Sequence, residues 1–328
     1  MADLLPWQAA TWAGLASRER HAHAYLLHGP AGIGKRLFAE RLMALLLCHS
    51  PAGHQPCGHC KSCHLIAAGT HPDNVVIEPE EEDKAIRVDQ VRELVDFVVQ
   101  TAQLGRRKVV LLEPAESMNL NAANALLKSL EEPSGDTVLI LITHQLSRLL
   151  PTIKSRCVQQ ACPVPKPQEA ARWLQGELED CPEGQCHDLL SLVGGSPLRA
   201  AALYRSGGLE QRAAVVEGIK KLLKQQSTPS QLAESWNAIP LMLLFDWCCD
   251  WCQAILRFQL TRDEAELGGE DMAKVVQYLG DKAPMERVLN LQEWLIAHRQ
   301  KVLAKANLNR VLLLEALLVQ WASLPRTR

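Results

Sequence analysis

Residues 24–35 read Ala-Tyr-Leu-Leu-His-Gly-Pro-Ala-Gly-Ile-Gly-Lys, an apolar strand-like run that empties into a glycine-rich turn. From Arg36 to Cys48 the spacing of Leu37, Leu42, Leu45 and Leu46 is helical. Strand, glycine-rich turn and helix in that order are the setting of a phosphate-binding loop. Gly29, Gly32 and Gly34 let backbone N–H groups turn inwards around phosphate oxygens. The helix N-terminus adds partial positive charge, and Lys35 has the reach for terminal phosphates. The stretch predicts an α/β nucleotide-binding fold.

Two catalytic parts of such a site are missing. The position after the lysine calls for a Ser or Thr hydroxyl to hold Mg²⁺. Here it is Arg36, which has no hydroxyl and brings a like charge towards the metal. An acidic pair should close a second apolar strand, yet Val109-Val110-Leu111-Leu112 is followed by Glu113-Pro114-Ala115-Glu116. Glu113 is one methylene longer than the usual aspartate, and Pro114 has no proton-accepting side chain. The phosphate cradle is kept while the chemistry around it is lost, which predicts a chain without intrinsic hydrolysis.

Outward from the loop, short apolar runs alternate with helical patterns, as in α/β units with a mainly parallel sheet. Strands are expected at 74–77, 109–112 and 137–143, with helices over 88–101 and 121–132, the latter stopped by Pro133. Pro163, Pro165 and Pro167 mark a linker. Beyond it helical periodicity takes over, with short helices at 168–178, 187–193 and 197–204. A boundary at Gly207-Gly208 and a helical bundle to about Leu324 follow.

The 328-residue chain is 47% hydrophobic and 22% charged, an ordinary soluble balance with room for two or three domains. A net charge of −2 supplies no global basic field for nucleic acid. The apolar runs are shorter than a membrane span, and Met1 to Gln8 lacks the layout of a signal peptide. A cytoplasmic protein without membrane contact is expected.

Eleven cysteines in a reducing compartment need a reason other than disulfides. Cys48, Cys57, Cys60 and Cys63 form C-x8-C-x2-C-x2-C, and four thiolates at such spacing complete a tetrahedral, closed zinc shell. An iron–sulfur cluster, a site in which His49, His54, His59 or His64 replaces one cysteine, and unligated thiols are the alternatives. Cys249 and Cys252 sit in an aromatic helix and read as core. Cys181 and Cys186 flank a loop with too few partners for a metal. Arg106-Arg107-Lys108 reads as a solvated turn before a strand. The stretch from Leu308 to Trp321 is too apolar for a lone surface helix.

Three segments bring in a family. Asn121-Ala-Ala-Asn-Ala-Leu-Leu-Lys-Ser-Leu-Glu-Glu-Pro133, Leu139 to Thr143, and Ser155-Arg156-Cys157 resemble the AAA+ clamp loaders of bacterial DNA polymerase III. The resemblance covers nearly the whole chain. It implies an α/β P-loop AAA+ domain over 1–164 with a zinc-binding insertion at about 48–63, a small helical lid over 165–207, and an all-α collar over 208–328. It further implies that Arg156 works in trans as an arginine finger in a neighbouring subunit's ATP site. By the same resemblance Thr143 is the sensor-1 position, although β-propensity alone also favours a threonine there. Arg199 is the sensor-2 arginine, with a plain helix-surface arginine as its alternative. The four cysteines are again the zinc ligands.

Implied partners are motor ATPase subunits and a delta subunit in a five-membered ring, with the sliding clamp and primer–template DNA engaged through the assembly. The expected role is a non-hydrolysing clamp-loader subunit, with bound ATP and Mg²⁺ unproductive. Its rivals are an active ATPase subunit of the family and a zinc-dependent nucleic-acid-binding protein with a vestigial ATPase fold. Near-neutral charge and the lack of an aromatic–basic stripe tell against the last.

Overall fold

The computed structural model describes residues 3–81, 84–105, 107–304, 306 and 308–325. The chain divides into two compact units, Met1–Ala202 and Leu203–Arg328. No helix among the described residues is long and apolar enough to cross a membrane.

The first unit holds strands β1 (Ala24–His28), β2 (Asn74–Ile77), β3 (Lys108–Leu112), β4 (Thr137–Thr143) and β5 (Val158–Ala161). All are parallel, in the order β2-β3-β4-β1-β5. Helices α1 (Ala9–Ala16), α2 (Lys35–Leu47), α3 (Lys61–Ala67), α4 (Val88–Val99), α5 (Leu120–Glu131), α6 (Pro151–Lys154), α7 (Pro167–Glu177), α8 (Glu183–Leu192) and α9 (Pro197–Arg205) accompany it, α9 running just past the division between the units.

The period-2 alternation of strand side chains sorts the core into two faces. Leu26, Val110, Leu112, Leu139 and Leu141 pack with α4 and α5. Tyr25, Leu27, Val109, Leu111, Val138, Ile140 and Ile142 pack with α1 and α2. Burial on both faces is why the central strands read as unbroken apolar runs.

β4 coincides with the expected 137–143. β2 likewise matches its expected 74–77, α8 begins at Glu183, four residues before the expected 187, and the other expected elements differ by a residue or two at their ends, as with α5, which Asn119 caps by accepting from the Ala122 amide. β5 was not expected: as an edge strand reading Val-Gln-Gln-Ala it carries no apolar signal, and its residues are largely exposed. Lys108 corrects the reading of a solvated basic turn. It begins β3 buried, with its ammonium on the Phe97 carbonyl and over the Phe97 ring. Arg107 pairs with Asp136 at 3.1 Å; Arg106 lies outside the described residues.

The second unit continues with α10 (Gly208–Leu223), α11 (Pro229–Ser235), α12 (Leu241–Thr261), α13 (Ala273–Lys282), α14 (Met285–Leu303) and α15 (Arg310–Ala322). Cys248, Cys249 and Cys252 are buried in α12. On α15, Leu314, Leu318 and Trp321 are buried, whereas Leu312 and Val319 are exposed.

Candidate functional site

Parallel strands deliver the residues that follow them to one edge of the sheet, the place where α/β folds bind ligands. At that edge lie the phosphate loop after β1, Glu78 after β2, Glu113 after β3 and His144 after β4. Register makes the two acids neighbours, because Ile77 and Leu112 are paired and the Glu113 amide donates to the Ile77 carbonyl at 3.0 Å.

The loop from Gly29 to Lys35 has the conformation its glycines allow. Gly32 and Gly34 have φ of 78° and 86°, left-handed values that penalise a Cβ. A Cβ on Gly32 would stand 2.4 Å from Cγ of Arg199. The loop thus packs directly on α9, whose Leu198 amide donates to the Gly32 carbonyl at 3.0 Å. From the other side Trp7 Nε1 donates to the Ile33 carbonyl at 2.9 Å and Gln8 Nε2 to the Gly34 carbonyl at 2.7 Å. Trp7 in turn meets Trp173 of α7 edge-on at 5.5 Å.

Lys35 folds back onto its own loop, with Nζ donating to the Gly29 and Pro30 carbonyls at 2.6 and 2.5 Å. Burial lowers its pKa to about 8, against the pull of Cys162, Glu113 and Glu116. Thr143 is fully buried at the end of β4 beside His28, and its hydroxyl accepts from the Gln145 amide at 3.2 Å.

At the position where a metal would be held, Arg36 takes over. Its guanidinium donates to Glu40 at 2.6 Å, Glu113 at 3.1 Å and Glu78 at 3.3 Å. Burial raises the Glu113 pKa, with Arg36 and Lys35 opposing. His144 lies 3.8 Å from Glu113, but burial first, then Lys35, lowers its pKa to about 4. The imidazole is therefore neutral near pH 7 and the pair is no ion pair. The donor set does not fit Mg²⁺: the strand-end acid already has a fixed cation on it, and the neighbouring Pro114 offers no base.

Sequence reading missed Glu78, His144 and the Trp7–Gln8 strap. Glu40 was readable as the i+4 partner of Arg36. Glu78 and His144 were readable only once strand ends were known.

Arg156 lies elsewhere. β5 runs parallel to β1, with Tyr25 opposite Val158 and His28 opposite Ala161. Arg156 precedes Val158, so it sits at the amino edge of the sheet, whereas the phosphate loop leaves the carboxyl edge. Four strand residues at about 3.3 Å each separate the two edges. The Arg156 guanidinium is partly exposed, paired with Glu131 of α5 at 2.6 Å and donating to the Thr152 carbonyl at 2.9 Å.

The cysteines converge. The Sγ atoms of Cys48, Cys57, Cys60 and Cys63 all lie within 4.8 Å of one another, with Cys48–Cys60 at 3.9 Å and Cys57–Cys63 at 4.0 Å. A tetrahedral zinc with bonds of about 2.3 Å places sulfurs about 3.8 Å apart, so the four fit a metal such as zinc. Amide groups turn towards the sulfurs: Cys57 N to Cys48 at 3.3 Å, Cys60 N to Cys57 at 3.4 Å and Cys63 N to Cys60 at 3.5 Å. Burial pushes the Cys63 thiol up to about 12. At Cys60 burial acts the same way, but amide donors from Cys63 and His49 and neighbouring thiols outweigh it and bring the thiol down to about 6. Among the described residues no histidine joins the group; His59 Nδ1 donates to the Cys57 carbonyl at 2.9 Å.

The module is tied to the sheet by a buried relay. Ser62 on α3 bonds His71 at 2.8 Å, and His71 Nδ1 accepts from the Asp73 amide at 3.1 Å. The buried Asp73 carboxylate accepts from the amides of Gln103, Leu104 and Gly105 just before β3.

Comparison with known proteins completes the description. A family model described as DNA polymerase III, delta subunit, matches residues 7–164, and a second model, for the C terminal of that subunit, matches 206–323. The DNA polymerase III subunit delta' of Pseudomonas aeruginosa is 68% identical over 325 residues, which is 99% of this chain and 99% of that protein. The chain belongs to the DNA polymerase III delta prime family. Delta prime relatives in Yersinia pestis and Escherichia coli are 33% and 32% identical, over 96% and 92% of this chain and 94% and 89% of theirs. A parallel α/β sheet with a phosphate loop, a cysteine cluster and a helical C-terminal region is the fold of this delta prime family chain.

Proposed function

We propose that this chain is a non-hydrolysing subunit of the clamp loader of the DNA polymerase III holoenzyme. It supports ATP-dependent loading of the sliding clamp onto primed DNA and gives Arg156 in trans to a neighbouring motor subunit. The observation that carries the lack of hydrolysis is the Arg36–Glu113 ion pair at 3.1 Å. A guanidinium there repels a divalent cation and engages the acid that would ligate it, and Pro114 supplies no base for water.

The position of Arg156 supports the role in trans. It stands at the sheet edge away from its own phosphate loop, partly exposed, so that a neighbour's phosphates are its natural target. A planar guanidinium bridges phosphate oxygens and offsets charge developing in transfer. Thr143 and Arg199 belong to a vestigial nucleotide site, Arg199 lying directly over Gly32. The four cysteines hold a structural zinc: four thiolates leave no open position, and the metal supplies local folding free energy where the loop has little core.

The domain plan of an ATPase-like domain over 1–164, a lid over 165–207 and a collar over 208–328 accompanies this reading. Exposed Leu289, Ile296, Leu312 and Val319 on α14 and α15 supply apolar surface for collar contacts with motor and delta subunits in a five-membered ring. The setting is the cytoplasmic, nucleoid-associated replication machinery.

The test is ATP turnover by the isolated, zinc-loaded chain with Mg²⁺, beside turnover by its complex with motor subunits. The expected result is no turnover above background for the isolated chain. A rate comparable to that of the complex contradicts the reading and favours an active ATPase subunit.

A further inference from the structure

Outside the zinc module, a further pair of thiols is in direct contact. Cys181 lies in the turn between α7 and α8, and Cys186 lies in the first turns of α8. Their sulfurs are 3.4 Å apart, with the Cys186 thiol donating to Cys181. That is closer than the pairs in the four-cysteine cluster, at 3.9 and 4.0 Å. The Cys181 thiol is further oriented towards the Pro182 carbonyl and Gln185 Oε1. Both residues are buried, Cys181 at 6% exposure and Cys186 at 1%. A buried pair of this kind reads at first as two small apolar fillers. Two features set it apart: the sulfurs are already in contact, and closing to a bond of about 2.05 Å requires an approach of only about 1.4 Å.

We propose that Cys181 and Cys186 form a dithiol that hydroperoxides oxidise to an intrachain disulfide. Cys181, the more exposed, reacts first: its sulfur attacks one peroxide oxygen, the O–O bond breaks, and a sulfenic acid and water result. The Cys186 sulfur then attacks the sulfenic sulfur, the S–O bond breaks, and hydroxide leaves with the Cys186 proton as water. In sum, two thiols and one hydrogen peroxide give one disulfide and two waters. The second step outruns further oxidation because its nucleophile is already in contact.

Position gives the bond a consequence. It closes the turn between α7, whose Trp173 packs on the Trp7 that holds Ile33, and α8, which leads into α9 on Gly32. Oxidation therefore stiffens the turn between α7, which reaches the phosphate loop through Trp7, and α8, which leads into the helix that packs on the loop.

The experiment uses the full zinc-loaded chain and hydrogen peroxide. After quenching, the protein is denatured, free thiols are alkylated, and tryptic peptides are weighed without reductant. No Lys or Arg lies between Trp173 and Leu198, so one peptide, 173–199, carries both cysteines. The expected product is this peptide two hydrogens lighter and refractory to alkylation, with both sites restored by dithiothreitol. Cys186→Ser should abolish the lighter species. Two results overturn the proposal: a peptide that still takes up two alkyl groups while other cysteines of the chain are oxidised, or one that accumulates sulfinic and sulfonic acids without the disulfide.

Discussion

The Arg36 guanidinium donates to the Glu113 carboxylate at 3.1 Å, so a fixed side-chain cation and the strand-end acid neutralise one another beside the phosphate loop. Neither group is easily removed alone. Glu113 is only 16% exposed, and Arg36, at 33%, is also bound to Glu40 and Glu78. Arg36→Met leaves Glu113 buried without its partner and should destabilise the chain by about 1–3 kcal/mol, tempered by the partial exposure of Arg36. Adding Glu113→Gln should recover part of that loss. Urea unfolding of the two single variants and the double variant measures the coupling; strict additivity would show that the pair is not coupled.

Lys35 and His144 should write opposite ends of the pH–stability profile. With its folded pKa lowered to about 8 from about 10.4, Lys35 binds its proton more readily unfolded. Stability from this group therefore rises with pH between about 8 and 10.4, by up to about 3 kcal/mol. Lys35→Met should flatten that rise. His144, lowered to about 4 from about 6.5, likewise binds its proton more readily when unfolded. Its contribution is complete above about pH 6.5 and is lost as pH falls towards 4, and His144→Gln should flatten that slope. Urea midpoints across pH 4–10 test both; unchanged slopes in the variants contradict the assignment.

Gly32 and Gly53 make a controlled comparison. Both have positive φ, 78° and 54°, but a Cβ on Gly32 meets Cγ of Arg199 at 2.4 Å and its backbone N at 2.9 Å, whereas one on Gly53 meets nothing within 4 Å. Gly32→Ala should cost about 2–4 kcal/mol and Gly53→Ala about 1 kcal/mol, the backbone strain alone. Equal costs in thermal or urea unfolding would mean that α9 does not press on the loop.

Much of this was legible in the sequence because it lies in strongly patterned segments. The unbroken apolar run at 137–143 is strand β4, and 24–35 is strand and loop as read. The four cysteines converge as their spacing implies. What was hidden depends on tertiary neighbours. β5 has glutamines at its centre and gains its order from pairing with β1. Lys108 looked like surface because its stem and ammonium find an aromatic ring and a carbonyl only in the folded chain. Glu78 and His144 carry no local motif; they join the site because parallel strands end together.

Zinc removal should loosen a defined segment. The amides of Cys57, Cys60 and Cys63 point at sulfurs, and α3 reaches the sheet through Ser62, His71 and Asp73. About one zinc per chain is expected by metal analysis, and its removal by a chelator should lower hydrogen-exchange protection across residues 48–67 first. Iron with visible absorbance, or a metal-free purified chain with unchanged protection, contradicts a structural zinc.

The central claim concerns Arg156, held at the far sheet edge by Glu131 at 2.6 Å. The direct measurement is ATP turnover by the reconstituted complex with Arg156→Ala, with incorporation of the variant checked by size-exclusion chromatography. The account predicts an intact assembly in which turnover at the neighbouring site falls by about 10³-fold or more. An assembled rate that Arg156→Ala leaves unchanged contradicts it.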